Sequence, residues 1–263
     1  MSKGPPGPAF ITGGSSGIGL ALARRLHQRG HRLALFARDP DRLAQAAEGL
    51  DPPPLTLPCD VTDRSALESA VAQARAELGP PRYAIASAGV AVPGVFLDQP
   101  LADHETQMQV NYMGALHFAR ATAVLMQPGA RLIFIGSGAA FFGIPGYSAY
   151  APSKFALRGL AEVLRVELAP RGIAVTLAYP PDTDTPQLAA EARTKPPATR
   201  EITAGGGLWQ PDDVARVILH AADKGRFAAA PGLQMRALLW LHSLAAPVLR
   251  AWQTRIMRRH DHP

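Results

Sequence analysis

Short apolar runs alternate with longer amphipathic segments along most of the chain. The short runs are expected to be buried strands and lie at 9–11, 32–37, 55–57, 82–86, 131–135 and 173–177, with an edge strand at 227–230. Helical spacing of apolar residues occupies the segments between them, at 20–26, 41–50, 64–78, 101–126, from 150 to about 170, and from 211 onward. This alternation predicts an α/β fold with a doubly wound parallel sheet.

A glycine-rich turn joins the first predicted strand to the first predicted helix. It runs from Thr12 to Gly19 and reads TGGSSGIG. Glycines at 13, 17 and 19 let the backbone turn tightly and approach a ligand closely. The free N–H groups at the start of the following helix then face a phosphate. Because a strand precedes the turn and a helix follows it, the turn predicts a dinucleotide-binding site.

Polar residues that follow the next two strands refine this prediction. Arg38 stands where the adenosine ribose is expected, and an arginine there accommodates a 2′-phosphate, whereas an acid would bind the 2′-hydroxyl. Arg38 therefore favours NADPH over NADH. Asp60 would accept a hydrogen bond from the adenine amino group or cap the next helix, although Asp63 is the better cap candidate. Other residues at the carboxyl ends of strands, where ligands of such sheets bind, are Gly89, Ser137 and Pro180.

Tyr150 and Lys154 form the candidate catalytic pair, with Ser137 upstream. Residues four apart share one face of a helix, and an ammonium beside a phenol lowers the phenol pKa from its usual value of about 10. A phenol of lowered pKa is a better general acid, and Ser137 would hold the carbonyl oxygen that the phenol protonates. Asn111, inside the predicted helix at 101–126, is either a structural hydrogen-bonding residue or part of a proton path.

Composition narrows the class of protein. The chain has 263 residues, 47% of them hydrophobic, which is enough for one large core. A single cysteine, Cys59, excludes an internal disulfide framework and fits a reduced, cytoplasmic location. Residues 1–8 lack the apolar region of a signal peptide. We expect no metal, because no Cys/His cluster has ligand spacing, and no nucleic-acid partner, because no binding motif accompanies the net charge of +6.

The last third of the chain adds two segments to the predicted domain. Residues 182–209 are polar and rich in glycine and proline, which predicts a mobile lid over the substrate or a plain insertion. We expect the domain to end at 231 and a basic, amphipathic helical tail to occupy 232–263, where Trp240 and Trp252 are interleaved with five arginines. The uncharged run between Arg236 and Arg250 is too short to span a bilayer. The tail would lie in a membrane interface, pack on a partner subunit or close the domain's own core.

Taken together, these motifs resemble the short-chain dehydrogenase/reductase family over roughly residues 8–230. The resemblance rests on Thr12-Gly13-x-x-x-Gly17-x-Gly19, Ser87-Ala88-Gly89, Asn111, Ser137 and Tyr150-x-x-x-Lys154. It implies a single Rossmann-type domain that forms a homodimer or homotetramer. One departure is Ser87, where the family usually has asparagine.

The same resemblance implies a role for each site residue. Tyr150 would donate the proton and Ser137 would polarise the carbonyl. Lys154 would lower the Tyr150 pKa and hold the nicotinamide ribose, and Asn111 would keep a water path to that lysine. The implied cofactor contacts are Gly13, Ser15, Ser16, Gly17, Ile18, Gly19, Arg38, Asp60, Val61, Ala88, Gly89, Tyr150, Lys154, Pro180, Thr183 and Thr185.

A narrower resemblance lies in the segment 179–186, which reads YPPDTDTP, with RTKP at 193–196 and KFALRGL at 154–160. These strings are similar to 3-ketodihydrosphingosine reductases, whereas most short-chain enzymes have Pro-Gly where this chain has Pro180-Pro181. The resemblance implies NADPH-dependent reduction of a long-chain keto-lipid and a tail that contacts the cytoplasmic face of a membrane. The alternatives are reduction of another bulky ketone, such as a 3-oxoacyl lipid or a steroid, and a non-catalytic NADP-binding regulator.

Overall fold

The computed structural model describes residues 6–260. Its strands form one sheet in which every pair of neighbours is parallel. The strands are β1 Ala9–Thr12, β2 Leu33–Ala37, β3 Leu55–Pro58, β4 Tyr83–Ala86, β5 Arg131–Ile135, β6 Ala174–Ala178 and β7 Ala228–Ala229. They lie in the order β3-β2-β1-β4-β5-β6-β7. The predicted doubly wound α/β architecture is confirmed.

Helices cover both faces of the sheet. They are α1 Gly17–Gln28, α2 Pro40–Ala47, α3 Arg64–Leu78, α4 Leu101–Met108, α5 Ala115–Ala123, α6 Tyr150–Glu167, α7 Pro186–Thr194, α8 Pro197–Thr203, α9 Pro211–Asp223 and α10 Gly232–His260. One core contains Leu26 of α1 and Ile218 of α9. The core on the opposite face contains Val71 of α3, Phe118 of α5 and Leu157 of α6. These five helices thus bury their apolar stripes against the sheet.

The predicted helix at 101–126 is interrupted at its centre. It consists of α4, a π-helical turn Gln109–Gly114 and α5, which ends at Ala123. Gly114 lies against Val61 so closely that an added Cβ would come within 2.5 Å of the valine side chain. Apolar periodicity gives no sign of the extra residue that a π-turn inserts, which is why one continuous α-helix was predicted. The turn carries Asn111.

The predicted lid at 182–209 contains two helices, α7 and α8, and a 3-10 turn Ala204–Gly206. Each helix has a proline at its start, Pro186 and Pro197, where a missing N–H costs nothing. Thr185 caps α7 by accepting a hydrogen bond from the Leu188 N–H at 3.2 Å. Proline and glycine content predicted a lid or an insertion here without naming helices, although both prolines stand at helix starts.

The C-terminal helix α10 has two dissimilar faces. It buries Met235, Gln253 and Ile256, and Ile256 packs against Ile202 of α8. Its opposite face exposes large apolar side chains: Leu233, Trp240, Leu241, Leu244, Val248 and Trp252. No helix within residues 6–260 has the length and apolar character needed to cross a membrane. One face of α10 therefore closes the domain's own core, and the other lies at the surface.

Candidate active site

A cavity of about 250 Å³ opens at the carboxyl ends of the central strands, beside the point where the strand order reverses between β1 and β4. Its wall combines the turns after β1, β4, β5 and β6 with the first turn of α6, helices α7 and α8 and the start of α10. The predicted residues that line it are Gly13, Ser16, Gly17, Ile18, Gly19, Ala88, Gly89, Ser137, Tyr150, Lys154, Pro180, Thr183 and Thr185. Those that lie outside its lining are Ser15, Arg38, Asp60, Val61 and Asn111.

Close backbone contacts shape the turn after β1. Gly13 has a φ of 65°, and an added Cβ there would lie 2.8 Å from the Ala88 nitrogen. At Gly19 an added Cβ would lie 2.2 Å from the Gly13 carbonyl oxygen. Ser16, at the N-cap of α1, makes no side-chain capping bond, so the first N–H groups of α1 point to the cavity without a side-chain acceptor. The turn therefore fits the diphosphate of a dinucleotide.

Arg38 and Asp60 lie together at the carboxyl ends of β2 and β3. The Arg38 side chain is 67% exposed, and its Nη1 lies 3.9 Å from Asp60 Oδ2. Asp60 Oδ1 accepts two bonds from Thr62, from its N–H and its hydroxyl, both at 2.8 Å. The Asp60 carboxylate therefore bonds within its own loop, whereas the Arg38 guanidinium extends from the end of β2 into solvent. Val61 belongs to the hydrophobic core and Ser15 to the glycine turn.

Tyr150 and Lys154 are both buried in the first turns of α6. Lys154 Nζ donates to the Ile135 carbonyl at 3.0 Å and lies 5.5 Å from the centre of the Tyr150 ring. Burial lowers the pKa of Lys154 to about 8, and the charge of Glu191 partly opposes the change. Burial also raises the pKa of Tyr150; Glu191 adds to this rise, and hydrogen bonding to Ser137 and Gln187 opposes it.

The predicted lowering of the Tyr150 pKa by Lys154 does not match this geometry. Removal from water disfavours the phenolate, and the ammonium lies over the ring and bonds a backbone carbonyl. The outcome is a raised pKa, which keeps the phenol protonated at neutral pH. A proton donor must start in that state. Proton donation by Tyr150 stays a prediction.

Asn111 joins the π-helical turn to two other segments. Its Oδ1 accepts from the Val90 N–H at 2.8 Å, and its Nδ2 donates to the Val90 carbonyl and to Ser153 Oγ, each at 2.9 Å. The residue is 1% exposed. These bonds favour the structural role among the two that the sequence left open. They hold the loop after β4 against α6, where Gly89 lies between Asn111 and Lys154.

The hydroxyls of Ser137, Thr183 and Thr185 form hydrogen bonds with nearby backbone groups. Ser137 Oγ accepts from the Ala139 N–H at 3.1 Å, which leaves the O–H of Ser137 able to donate into the cavity. Thr183 Oγ1 donates to the Pro181 carbonyl at 2.8 Å, and Thr185 is the cap of α7. The two threonines therefore shape the wall after β6, and Ser137 is the hydroxyl placed beside Tyr150.

Among the cavity residues absent from the predictions, three polar ones form a connected group: Tyr147, Gln187 and Glu191. Glu191 Oε2 accepts from the Tyr147 hydroxyl at 2.9 Å, and Oε1 accepts from Gln187 Nε2 at 3.1 Å. Gln187 and Glu191 are four apart on α7 and share a face. The signal in the sequence was Thr185-Pro186, a cap followed by a first-turn proline, which marks a helix start.

Comparison with known proteins assigns this arrangement to a family. Residues 8–196 match the family model described as short chain dehydrogenase, and this segment contains the glycine turn, Ser137, Tyr150 and Lys154. The chain belongs to the short-chain dehydrogenase family. It is therefore an oxidoreductase.

Individual members of the short-chain dehydrogenase family are similar over most of their length. A 3-dehydrosphinganine reductase of Danio rerio is 40% identical over 232 residues, which is 84% of this chain and 70% of the relative. A 3-ketodihydrosphingosine reductase of Bos taurus is 38% identical over 254 residues, 93% of this chain and 76% of the relative. A solved short-chain dehydrogenase from Burkholderia cenocepacia, in complex with NADP, has a TM-score of 0.76 at 27% identity and covers 86% of this chain and 97% of its own. The two resemblances predicted from motifs are confirmed.

The tight contact at Gly19 gives a first testable prediction. Gly19→Ala is expected to lower the free energy of unfolding by about 1–3 kcal/mol, because the added methyl group meets the Gly13 backbone. It should also weaken dinucleotide binding by displacing the turn. Urea unfolding and fluorescence titration with NADPH measure the two effects.

Gly159→Ala is the matched control for this substitution. An added Cβ there meets nothing within 4 Å, and the site is exposed on α6, so stability should rise by about 0.5–1 kcal/mol. If Gly19→Ala behaves like Gly159→Ala in both measurements, the close approach does not constrain the turn.

Proposed function

We propose that the protein reduces the 3-keto group of 3-ketodihydrosphingosine, a long-chain sphingoid base, to dihydrosphingosine with NADPH. The observation that carries this proposal is that Ser137 and Tyr150 line the same cavity as the glycine turn after β1. A carbonyl bound between the two hydroxyls lies beside a proton donor and within the space that a dinucleotide shares. The printed activities of the Danio rerio and Bos taurus relatives support this choice of ketone.

Ser137, Tyr150 and Lys154 each have a role in this reaction. Bound NADPH supplies a hydride to the carbonyl carbon. Ser137 and Tyr150 donate hydrogen bonds to the carbonyl oxygen and stabilise the negative charge that develops on it. Tyr150 then transfers its proton to that oxygen, which completes the alcohol and leaves a phenolate. The ammonium of Lys154, 5.5 Å from the ring centre, stabilises the phenolate until it is protonated again.

The substrate side of the cavity suits an alkyl chain. Its apolar lining comes from Phe142, Ile144, Ile202 of α8, and Met235 and Leu238 of α10. Such a lining favours a hydrocarbon tail and keeps water from the reacting carbonyl, which strengthens the hydrogen bonds there. A bulky lipid ketone is therefore a better match for this wall than a small polar substrate.

Replacing the proton donor tests the proposed chemistry directly. Tyr150→Phe should reduce kcat with 3-ketodihydrosphingosine by about 10²–10⁴-fold, the usual contribution of a general acid. NADPH affinity should stay nearly unchanged because the phenyl ring keeps its packing. Oxidation of NADPH is followed by absorbance, and the product by mass spectrometry. Wild-type turnover by Tyr150→Phe would refute the role; faster turnover of a 3-oxoacyl lipid or steroid by the unaltered enzyme would overturn the choice of substrate alone.

Arg38 supports NADPH as the cofactor. Its guanidinium is exposed at the end of β2, where it would meet a ribose 2′-phosphate, and its neighbour Asp60 is already bonded to Thr62. A charge-assisted hydrogen bond of this kind contributes about 1.5–3 kcal/mol.

The cofactor prediction concerns the preference between NADPH and NADH. Arg38→Ala should reduce kcat/KM for NADPH by roughly ten- to hundred-fold and change kcat/KM for NADH little. Steady-state kinetics with each dinucleotide measures the ratio. Arg42→Ala, which removes a nearby exposed arginine paired with Asp39, is the control and should leave the ratio unaltered. An unchanged ratio in Arg38→Ala would exclude the 2′-phosphate contact.

We also propose that the enzyme works in the cytoplasm as a peripheral membrane protein, with the exposed face of α10 on the membrane surface. An apolar stripe is formed by Trp240, Leu244, Val248 and Trp252, which follow each other at intervals of four. Exposed arginines lie on the same helix: Arg236, Arg250, Arg255, Arg258 and Arg259. Apolar and basic side chains together suit a surface that contains anionic lipids.

The same helix connects the surface to the cavity. Gln234, Met235 and Leu238 of α10 line the cavity, and Leu233 next to them is 82% exposed. A lipid ketone would therefore pass from the membrane to the active site along the first turns of α10. This route avoids exposing the alkyl chain to water.

Binding to vesicles tests the proposed membrane surface. The double variant Trp240→Ala/Leu244→Ala should lower partitioning onto phosphatidylglycerol-containing vesicles by at least about ten-fold, because each side chain stabilises binding by roughly 1.5–3 kcal/mol when fully buried. Sedimentation with vesicles measures it. Val163→Ala/Val166→Ala, which trims exposed apolar side chains of α6, is the control. If partitioning is unaffected and light scattering shows a smaller assembly instead, the stripe is a subunit interface.

A further inference from the structure

Glu191 is a buried carboxylate in the wall of the cavity that the proposed reduction does not use. It is 6% exposed and lines the cavity together with Tyr150. Both of its oxygens accept hydrogen bonds, from the Tyr147 hydroxyl at 2.9 Å and from Gln187 Nε2 at 3.1 Å. The two donors around this carboxyl group favour its ionised form, while burial acts in the opposite direction and raises the pKa of Glu191.

Glu191 has no cationic partner in the part of the chain that the structure describes. Lys195, the buried cation nearest in sequence, pairs with Asp182 at 3.4 Å. Lys154 donates to the Ile135 carbonyl. No Lys, Arg or His among residues 6–260 lies within ion-pair distance of Glu191. Buried charges are normally paired, and the cavity is the open side from which a cation reaches this one.

The carboxylate lies close to the position of the reacting carbonyl. Gln187 donates to Glu191 Oε1 at 3.1 Å, and its polar group also opposes the rise of the Tyr150 pKa, so the amide lies near both the carboxylate and the phenol. The rings of Tyr147 and Tyr150 are 5.3 Å apart. In a ketone with an amino group on the neighbouring carbon, the nitrogen lies roughly 3 Å from the carbonyl oxygen. A carbonyl held by Tyr150 therefore places such a nitrogen toward Gln187 and Glu191.

We propose that Glu191, oriented by Tyr147 and Gln187, is a binding site for a protonated amine on the carbon next to the ketone. The inference rests on the proposed function, because sphingoid ketones carry such an amine beside the carbonyl. Pairing with Glu191 offsets the cost of burying both charges and fixes which face of the carbonyl meets the hydride. Ketones without the amine leave the carboxylate unpaired and bind less well.

Kinetics with two ketones tests this subsite. The substrates are 3-ketodihydrosphingosine and its analogue with hydrogen in place of the amine. The unaltered enzyme should prefer the amino ketone, and Glu191→Gln should reduce this preference in kcat/KM by about ten- to hundred-fold, mainly through KM. Glu191→Asp, which keeps the charge, should restore part of the preference. Glu167→Gln, which removes an exposed carboxylate of α6, should retain all of it.

Binding of a non-reactive amine tests the proposed amine site without requiring turnover. Dodecylammonium should bind the NADPH-loaded enzyme more tightly than dodecanol in calorimetry, and Glu191→Gln should abolish the difference. If the unaltered enzyme reduces neither ketone but this difference is seen, the proposed function fails and the subsite stands. If the enzyme reduces 3-ketodihydrosphingosine but Glu191→Gln lowers kcat/KM equally for both ketones, the subsite is overturned and Glu191 is structural.

Discussion

The removal of Tyr150 and Lys154 from water governs the chemistry of the cavity. Burial opposes the charged form of each group, so the pKa of Lys154 falls to about 8 while that of Tyr150 rises. At neutral pH the phenol is protonated and the ammonium still largely charged, which is the state in which a reduction must begin. Glu191 raises both pKa values, so a residue of α7 contributes to the protonation state of two residues of α6.

The parts of the site that depend on local backbone geometry could be predicted from sequence. The turn from Thr12 to Gly19 is determined by glycines that tolerate backbone contacts a Cβ would prevent, and its strand and helix neighbours are visible in the apolar pattern. The four-residue spacing of Tyr150 and Lys154 places both on α6 before any packing is known. Arg38 follows β2 directly, so predicting the strand also predicts that Arg38 lies at its carboxyl end.

Features that depend on packing between distant segments could not be predicted. The pKa of Tyr150 follows from how deeply α6 is buried, and a spacing of four residues carries no information about burial. Asn111 lies in a π-turn that forms where Gly114 meets Val61, two residues far apart in sequence. The contribution of α10 to the cavity depends on Met235, near its start, packing into the core, and the tail alone was compatible with three arrangements.

The two halves of the cavity are built by different means, and this affects what each can recognise. The dinucleotide half consists largely of backbone at the ends of β1, β4 and β5, so most side-chain changes leave it intact. The substrate half consists of side chains from the loop after β5 and from α7, α8 and α10, and Ile202 of α8 packs against Ile256 of α10. Because α10 also carries the exposed apolar stripe, a force that moves it at a membrane surface would move the α8 wall of the cavity as well. Under the proposed function, access of a lipid ketone and the shape of its binding site would thus be coupled through this packed pair of helices.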